Sequence, residues 1–177
     1  MAIKVNGTTV INDSRALQNI ASVDSTTATA IGNAGVGGGT TLLATTTLSG
    51  AREITVSSLN LSDYDLLYAF AVNIEGGNYY DNLHIKASGQ TTNYNNFWFR
   101  AETNGAGYGN GGCVIDLNTG YGFGGGLSVA SGAANWYYER GVGMQTGITT
   151  STTSIIYGHT EGNSSNWNGG TIKLYGA

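Results

Sequence analysis

The apolar positions of this chain recur mostly at every second residue. Leu83, Ile85 and Ala87 alternate with His84, Lys86 and Ser88. Phe97 and Phe99 alternate with Trp98 and Arg100, and Ile172 and Leu174 with Lys173 and Tyr175. Period two is the spacing of half-buried strands, whose successive side chains leave opposite faces of a sheet. The pattern predicts strands over 41–48, 53–58, 65–74, 82–88, 96–102, 112–117, 126–130, 135–141, 153–158 and 170–175, divided by Gly, Asn and Ser turns. Short strands at this density predict an all-β fold, an antiparallel β-sandwich of jelly-roll type. No Pro interrupts any of them, so nothing conflicts with ladder pairing.

The first 39 residues read differently. Ile3-Lys4-Val5 and Thr9-Val10-Ile11 flank Asn6-Gly7, a pair that tolerates positive φ and signals a hairpin. The run 14–20 and a Thr/Ser/Ala stretch to Ile31 follow, and Gly35-Val36-Gly37-Gly38-Gly39 reads as a flexible linker. The expected organisation is a short extended N-terminal arm with its linker over 1–39 and a sandwich head over 40–177. The arm is too thin to bury Ile3, Val5, Val10, Ile11, Leu17 and Ile20 by itself. Those residues pack either on the head or on copies of themselves, and the Gly linker favours the second. They are the candidate oligomerisation and anchoring residues.

Composition narrows the function. The 177 residues hold 29 Gly, and Gly, Ser, Thr and Asn together fill nearly half of the positions, while only 10% are charged. That combination excludes a long-helix protein. Its 11 Tyr and 3 Trp argue against a disordered chain. The single Cys113 excludes a disulfide scaffold. There is no apolar run of about 18 residues to cross a membrane as a helix. The opening residues lack a basic stretch followed by an apolar core, so the expectation is synthesis in a cytosol without a secretion signal. Net charge is −4, and the seven Lys and Arg are scattered singly, so no nucleic acid partner is expected.

Little in the sequence points to catalysis. G-x-G-x-x-G occurs from Gly107 and from Gly120, but neither stands between a strand and a helix as a dinucleotide site requires. Cys113 beside Val114 reads as a small buried thiol. His84, His159 and Cys113 have no zinc-ligand spacing, and Asp63-Tyr64-Asp65 reads as a strand-entry turn. Eleven acids can always supply a pair for glycoside hydrolysis, but no signature marks one. The protein is expected not to be an enzyme, and to need no metal or cofactor.

The aromatics carry more information. Tyr79-Tyr80, Tyr94, Trp98, Trp136-Tyr137-Tyr138 and Trp167 stand among Asn, Gly and Ser. Rings beside amides stack on sugars and serve polar protein interfaces; alternatively they fill a core poor in Leu and Ile. Residues 104–126 read as two Gly/Tyr loops flanking one apolar strand, either closing a sandwich end or presenting Tyr108, Tyr121 and Phe123. The candidate binding rings are Tyr108, Tyr121, Trp136, Tyr138 and Trp167.

Some segments are similar to a known group. The opening 3–20, with Val10-Ile11-Asn12-Asp13-Ser14-Arg15-Ala16-Leu17-Gln18-Asn19-Ile20, resembles the arm of bacteriophage tail-fibre and other virion appendage proteins. Leu43 to Ala51, Ile54-Thr55-Val56, Ser62 to Leu67 and the ending Gly169-Gly170-Thr171-Ile172-Lys173-Leu174-Tyr175-Gly176 resemble a β-sandwich of phage virion proteins. The Gly/Tyr middle matches no such segment. The resemblance implies a structural protein of a tailed-phage virion, a homotrimer whose arm attaches to other virion proteins. Its head would face a host glycan or the medium. Almost no shaft separates arm from head, so a short tail fibre is the first expectation and a capsid decoration or head fibre the alternative.

Overall fold

The computed structural model describes residues 3–5, 8–11, 24, 26–27, 39–76, 81–91, 97–101, 108–129, 136–158 and 166–177. The chain divides into two compact units, Met1–Gly39 and Thr40–Ala177. In the first, β1 (Ile3–Val5) and β2 (Thr8–Ile11) pair antiparallel, with Lys4 opposite Thr9 and Val5 opposite Thr8. Thr27 donates through its N–H and its hydroxyl to the two carboxylate oxygens of Asp24, at 2.9 and 2.6 Å. Those bonds hold the Asp24 carboxyl below its ordinary value. Asn6, Gly7, Leu17, Ile20 and the Gly linker up to residue 38 lie outside the described residues.

The second unit is an all-β sandwich. Its strands are β3 (Thr41–Thr47), β4 (Glu53–Val56), β5 (Leu66–Glu75), β6 (Asp81–Ala87), β7 (Phe97–Ala101), β8 (Tyr108–Asp116), β9 (Tyr121–Val129), β10 (Trp136–Gln145), β11 (Ile155–Gly158) and β12 (Gly169–Gly176). Six form one antiparallel sheet in the order β10-β9-β8-β5-β12-β3, and four form the other in the order β4-β11-β6-β7. The pairs β3–β12, β4–β11, β5–β8 and β6–β7 are those of one long hairpin folded over itself, which is the jelly-roll wrap. β9 and β10 are added to it. They widen one sheet between β8 and the crossover to β11, and leave the sandwich lopsided.

This addition changes the reading of 104–126. The segments expected as Gly/Tyr loops lie largely in two nine-residue strands, β8 and β9, joined by a turn. The turn is built by Asp116, whose carboxylate accepts from Asn118 N–H at 2.8 Å and whose carbonyl accepts from Gly120 N–H at 2.8 Å; Gly120 takes φ 72. Glycine is needed inside the strands for space. Opposite β8 and β9 stand Trp98 and Phe99 of β7, both fully buried. A Cβ at Gly126 would lie 2.5 Å from the Phe99 ring, at Gly111 2.6 Å from it, and at Gly124 3.0 Å from the Trp98 ring. The two rings therefore lie against bare backbone. The expected opposition of Trp98 to Phe99 fails because β6 and β7 shift register between Leu83 and His84, which leaves Trp98 without a cross-strand partner and brings both rings inside.

The rest of the core joins Leu67, Ile74, Ile115, Met144, Ile172 and Leu174 of the larger sheet to Leu83, Ile85, Ile155 and Tyr157 of the smaller. Thr146 links the two sheets. Its hydroxyl donates to Gly120 O at 2.9 Å and accepts from Ile148 N–H at 3.2 Å, while its carbonyl accepts from Ala87 N–H at 2.9 Å. Cys113 is buried, as the sequence suggests. The outward positions of β6 are not a polar face: His84 and Lys86 are both buried, and Lys86 pairs with Glu53 at 3.3 Å.

Candidate functional site

The six-stranded sheet carries its bulk on the wrong side for a sandwich. On β5 the inward residues are Leu67, Ala69 and Ala71, and the outward ones Leu66, Tyr68, Phe70 and Val72. On β8 Gly111, Cys113 and Ile115 face inward, in register with those of β5. On β9 Gly122, Gly124, Gly126 and Ser128 face inward, and Tyr121, Phe123 and Leu127 outward. An antiparallel sheet with one wet face ordinarily alternates apolar-in with polar-out. Here β9 and the middle of β5 and β8 turn small residues toward the core, and large apolar ones face out beside them.

Every large apolar side chain exposed among the described residues lies on this outer face: Leu42, Phe70, Val72, Tyr108, Tyr121, Phe123 and Leu127. Their exposures run from 37% at Leu127 to 60% at Phe123. At about 200 Å² for a fully exposed large side chain they present, summed over the face, roughly 700 Å². Phe70 meets Tyr175 edge to face, with ring centroids 5.9 Å apart. It also leans toward Gly112, where a Cβ would stand 3.5 Å from it.

The face has relief. Tyr68, Val114 and Phe123 form one cross-strand row; Phe70, Gly112 and Gly125 form the next. At Gly125 this row leaves a gap between Phe123 on one side and Leu127 on the other. At the turn end, Leu66, Val114, Asp116, Thr119, Tyr121, Gly122 and Phe123 line an open cleft of about 290 Å³. Rings next to a carboxylate and a hydroxyl can stack on a sugar and bond its hydroxyls. Among the described side chains the charges set with the apolar ones are Asp116 on β8 and Lys173 on β12, one of each sign.

The structure separates the expected binding rings. Tyr108 and Tyr121 are exposed on the outer face, toward opposite ends of the β8–β9 ribbon. Trp136 stands on β10 opposite Val129, which is itself opposite Tyr108, so the three share one register row. Tyr138 stands opposite Leu127; the side chains of Trp136 and Tyr138 lie outside the described part. Trp167 is a correction. Its backbone is tied to the β3–β4 turn by Gly50 N–H to Trp167 O at 2.8 Å and Trp167 N–H to Ala51 O at 3.0 Å, and its ring is wholly buried in the core. It is not a contact ring. Of the arm residues, Ile3, Val5, Val10 and Ile11 lie in β1 and β2.

Leu42, Phe70, Val72 and Leu127 were not among the candidates. A signal for the β5 pair exists in the run Leu66-Leu67-Tyr68-Ala69-Phe70-Ala71-Val72, apolar at both parities. A strand apolar on both faces is one that is covered on both faces.

Among the described residues no group of three or more His, Cys, Asp or Glu is placed to hold a metal ion. Among the described residues no helix is long and apolar enough to cross a membrane. No protein-family model matches the chain, and no curated protein matches it either.

Proposed function

We propose that this protein is a structural component of a tailed-phage virion, a short trimeric tail-fibre-like appendage that works by adhesion and not by turnover. The observation that carries it is the apolar outer face of the six-stranded sheet. Large apolar side chains that expose roughly 700 Å² in sum on one face mark a binding surface. Two things support the virion context: the arm-like opening 3–20, and the terminal strand 169–176 that resembles those of phage sandwich proteins.

The test is composition of the particle. Particles of the source phage, banded by density, are digested and their peptides identified by mass spectrometry. The chain is expected at a fixed ratio to the capsid protein, and antibody labelling places it at the tail. Labelling spread over the capsid selects the head-fibre or decoration alternative. Absence of the chain from intact particles overturns the proposal.

A further inference from the structure

We infer that the outer face of the six-stranded sheet is covered in solution by a second copy of this chain. The contact would be made by the head itself and would be additional to any made by the arm; it does not depend on the virion reading.

Three observations point to a copy as the occupant. The first is area. Roughly 700 Å² of large apolar side chains, before the Thr residues and half-buried rings around them are added, approaches the ~800 Å² per partner of a stable protein interface. The second is charge among the described side chains. The chain carries −4 overall, yet the described side chains of this face include one acid, Asp116, and one base, Lys173. Two copies can therefore meet on it without like-charge contact, and Lys173 of one can approach Asp116 of the other. A basic or acidic partner would find no complementary field. The third is relief. Phe123 is the most exposed ring among the described residues, and Gly125 leaves a gap one row away from it, beside the Phe70 ring that leans over Gly112. Facing sheets pack about 10 Å apart by seating the side chains of one between those of the other. A face that carries both knob and gap can do this with itself. The size pattern agrees: in the middle of β5 Ala69 and Ala71 face inward while Tyr68, Phe70 and Val72 face outward, as if the outer side were the inside of a larger assembly.

The experiment uses the full chain alone, so that only another copy can cover the face in a concentration-dependent way. Hydroxyl-radical footprinting is run from about 0.1 to about 100 µM, the range over which a micromolar interface fills. Mass is read by sedimentation on the same samples. Reactivity of Tyr121, Phe123 and Phe70 is expected to fall about fivefold across that range as mass rises to a multiple of the monomer. The variant V72E/F123E is expected to keep the circular dichroism of the parent and to lose the concentration dependence. A face that meets itself closes as a pair, so the mass is expected at twice that of the monomer; protected rings in a trimer would mean that a different surface of the neighbour covers the face, and would overturn its packing on itself. Rings that stay reactive at every concentration overturn the inference, also when the mass is oligomeric, because the arm alone then assembles the chain. Protection that is the same at all concentrations while the mass stays that of a monomer overturns it too, and assigns the face to another stretch of the same chain.

Discussion

Lys86 Nζ lies 3.3 Å from Glu53 Oε1, although β11 runs between their strands. Lys86 is in register with Ile156 and Glu53 with Gly158, so the pair crosses β11 diagonally, over the one residue there that has no side chain. A Cβ at Gly158 would stand 2.9 Å from Glu53 Cγ. Gly158→Ala is expected to lower stability in urea by about 1 kcal/mol by pushing the carboxylate off the ammonium. Glu53→Ala is expected to cost about as much, since half-exposed pairs are weak. With Glu53→Ala already present, Gly158→Ala should cost nothing further. Additive losses in that double-mutant cycle would show that the glycine and the ion pair are unrelated.

Glycine substitutions should divide sharply by face. At Gly126 a Cβ meets the Phe99 ring at 2.5 Å and Asn110 O at 2.8 Å, so Gly126→Ala is expected to cost about 3 kcal/mol or to prevent folding. At Gly143 nothing lies within 4 Å. Gly143→Ala is expected to be neutral or to stabilise by up to about 1 kcal/mol, through a less flexible unfolded chain. Equal denaturation midpoints for the two variants would contradict the packing described for β9.

Alkaline pH should weaken the fold through two buried acids. Burial pushes the Cys113 thiol well above its ordinary value. Burial, and then the neighbouring Cys113, do the same to the Tyr157 phenol. The folded state therefore keeps protons that the unfolded state releases. Stability is full below about pH 8.5, where both states hold them, and falls as pH climbs above the ordinary thiol and then phenol values. Chemical denaturation between pH 7 and 10.5 checks the sign, and Tyr157→Phe should flatten the upper part of the decline. Tyr157 OH is buried without a hydrogen-bond partner, so at neutral pH the same change should be neutral or stabilise by about 1 kcal/mol.

Thr146 is expected to matter more than a threonine ordinarily does. Thr146→Val keeps the shape but removes the hydroxyl that serves Gly120 O and Ile148 N–H in a buried site. A loss of about 2 kcal/mol in the denaturation free energy is expected. A loss no larger than that of an exposed control such as Thr45→Val would mean that the hydroxyl is dispensable there.

The strands outside the glycine-rich middle were legible because period two survives in them. Ile172-Leu174 alternates with Lys173 and Tyr175 in the sequence and in the sandwich alike, whereas β6 buries His84 and Lys86 together with Leu83, Ile85 and Ala87. The middle was not legible, because glycine signals a turn through its backbone freedom and fits a strand through its missing volume, and only the neighbour decides. The deciding neighbours, Trp98 and Phe99, are distant in sequence and come from the other sheet. Trp167 misleads for a related reason. Flanked by Asn166 and Asn168 it has the setting of an exposed ring, yet a core lined with Ala and Gly must take its bulk from wherever the chain supplies it. Tyr108 and Tyr121 were legible as outward rings, whereas the face they belong to became visible only once β5 and β12 were seen beside them.

Strand β9 alternates glycine with larger residues over 120–124, and its two sides answer to different demands. Gly122, Gly124 and Gly126 meet atoms closer than a side chain permits, while Tyr121, Phe123 and Leu127 touch the core very little. Mutational tolerance should follow the same alternation. A lineage can rewrite positions 121, 123 and 127, and with them what the face adheres to, without altering the volume of the interior. In such a strand binding specificity can drift while the fold stays fixed, and the glycines are what decouple the two.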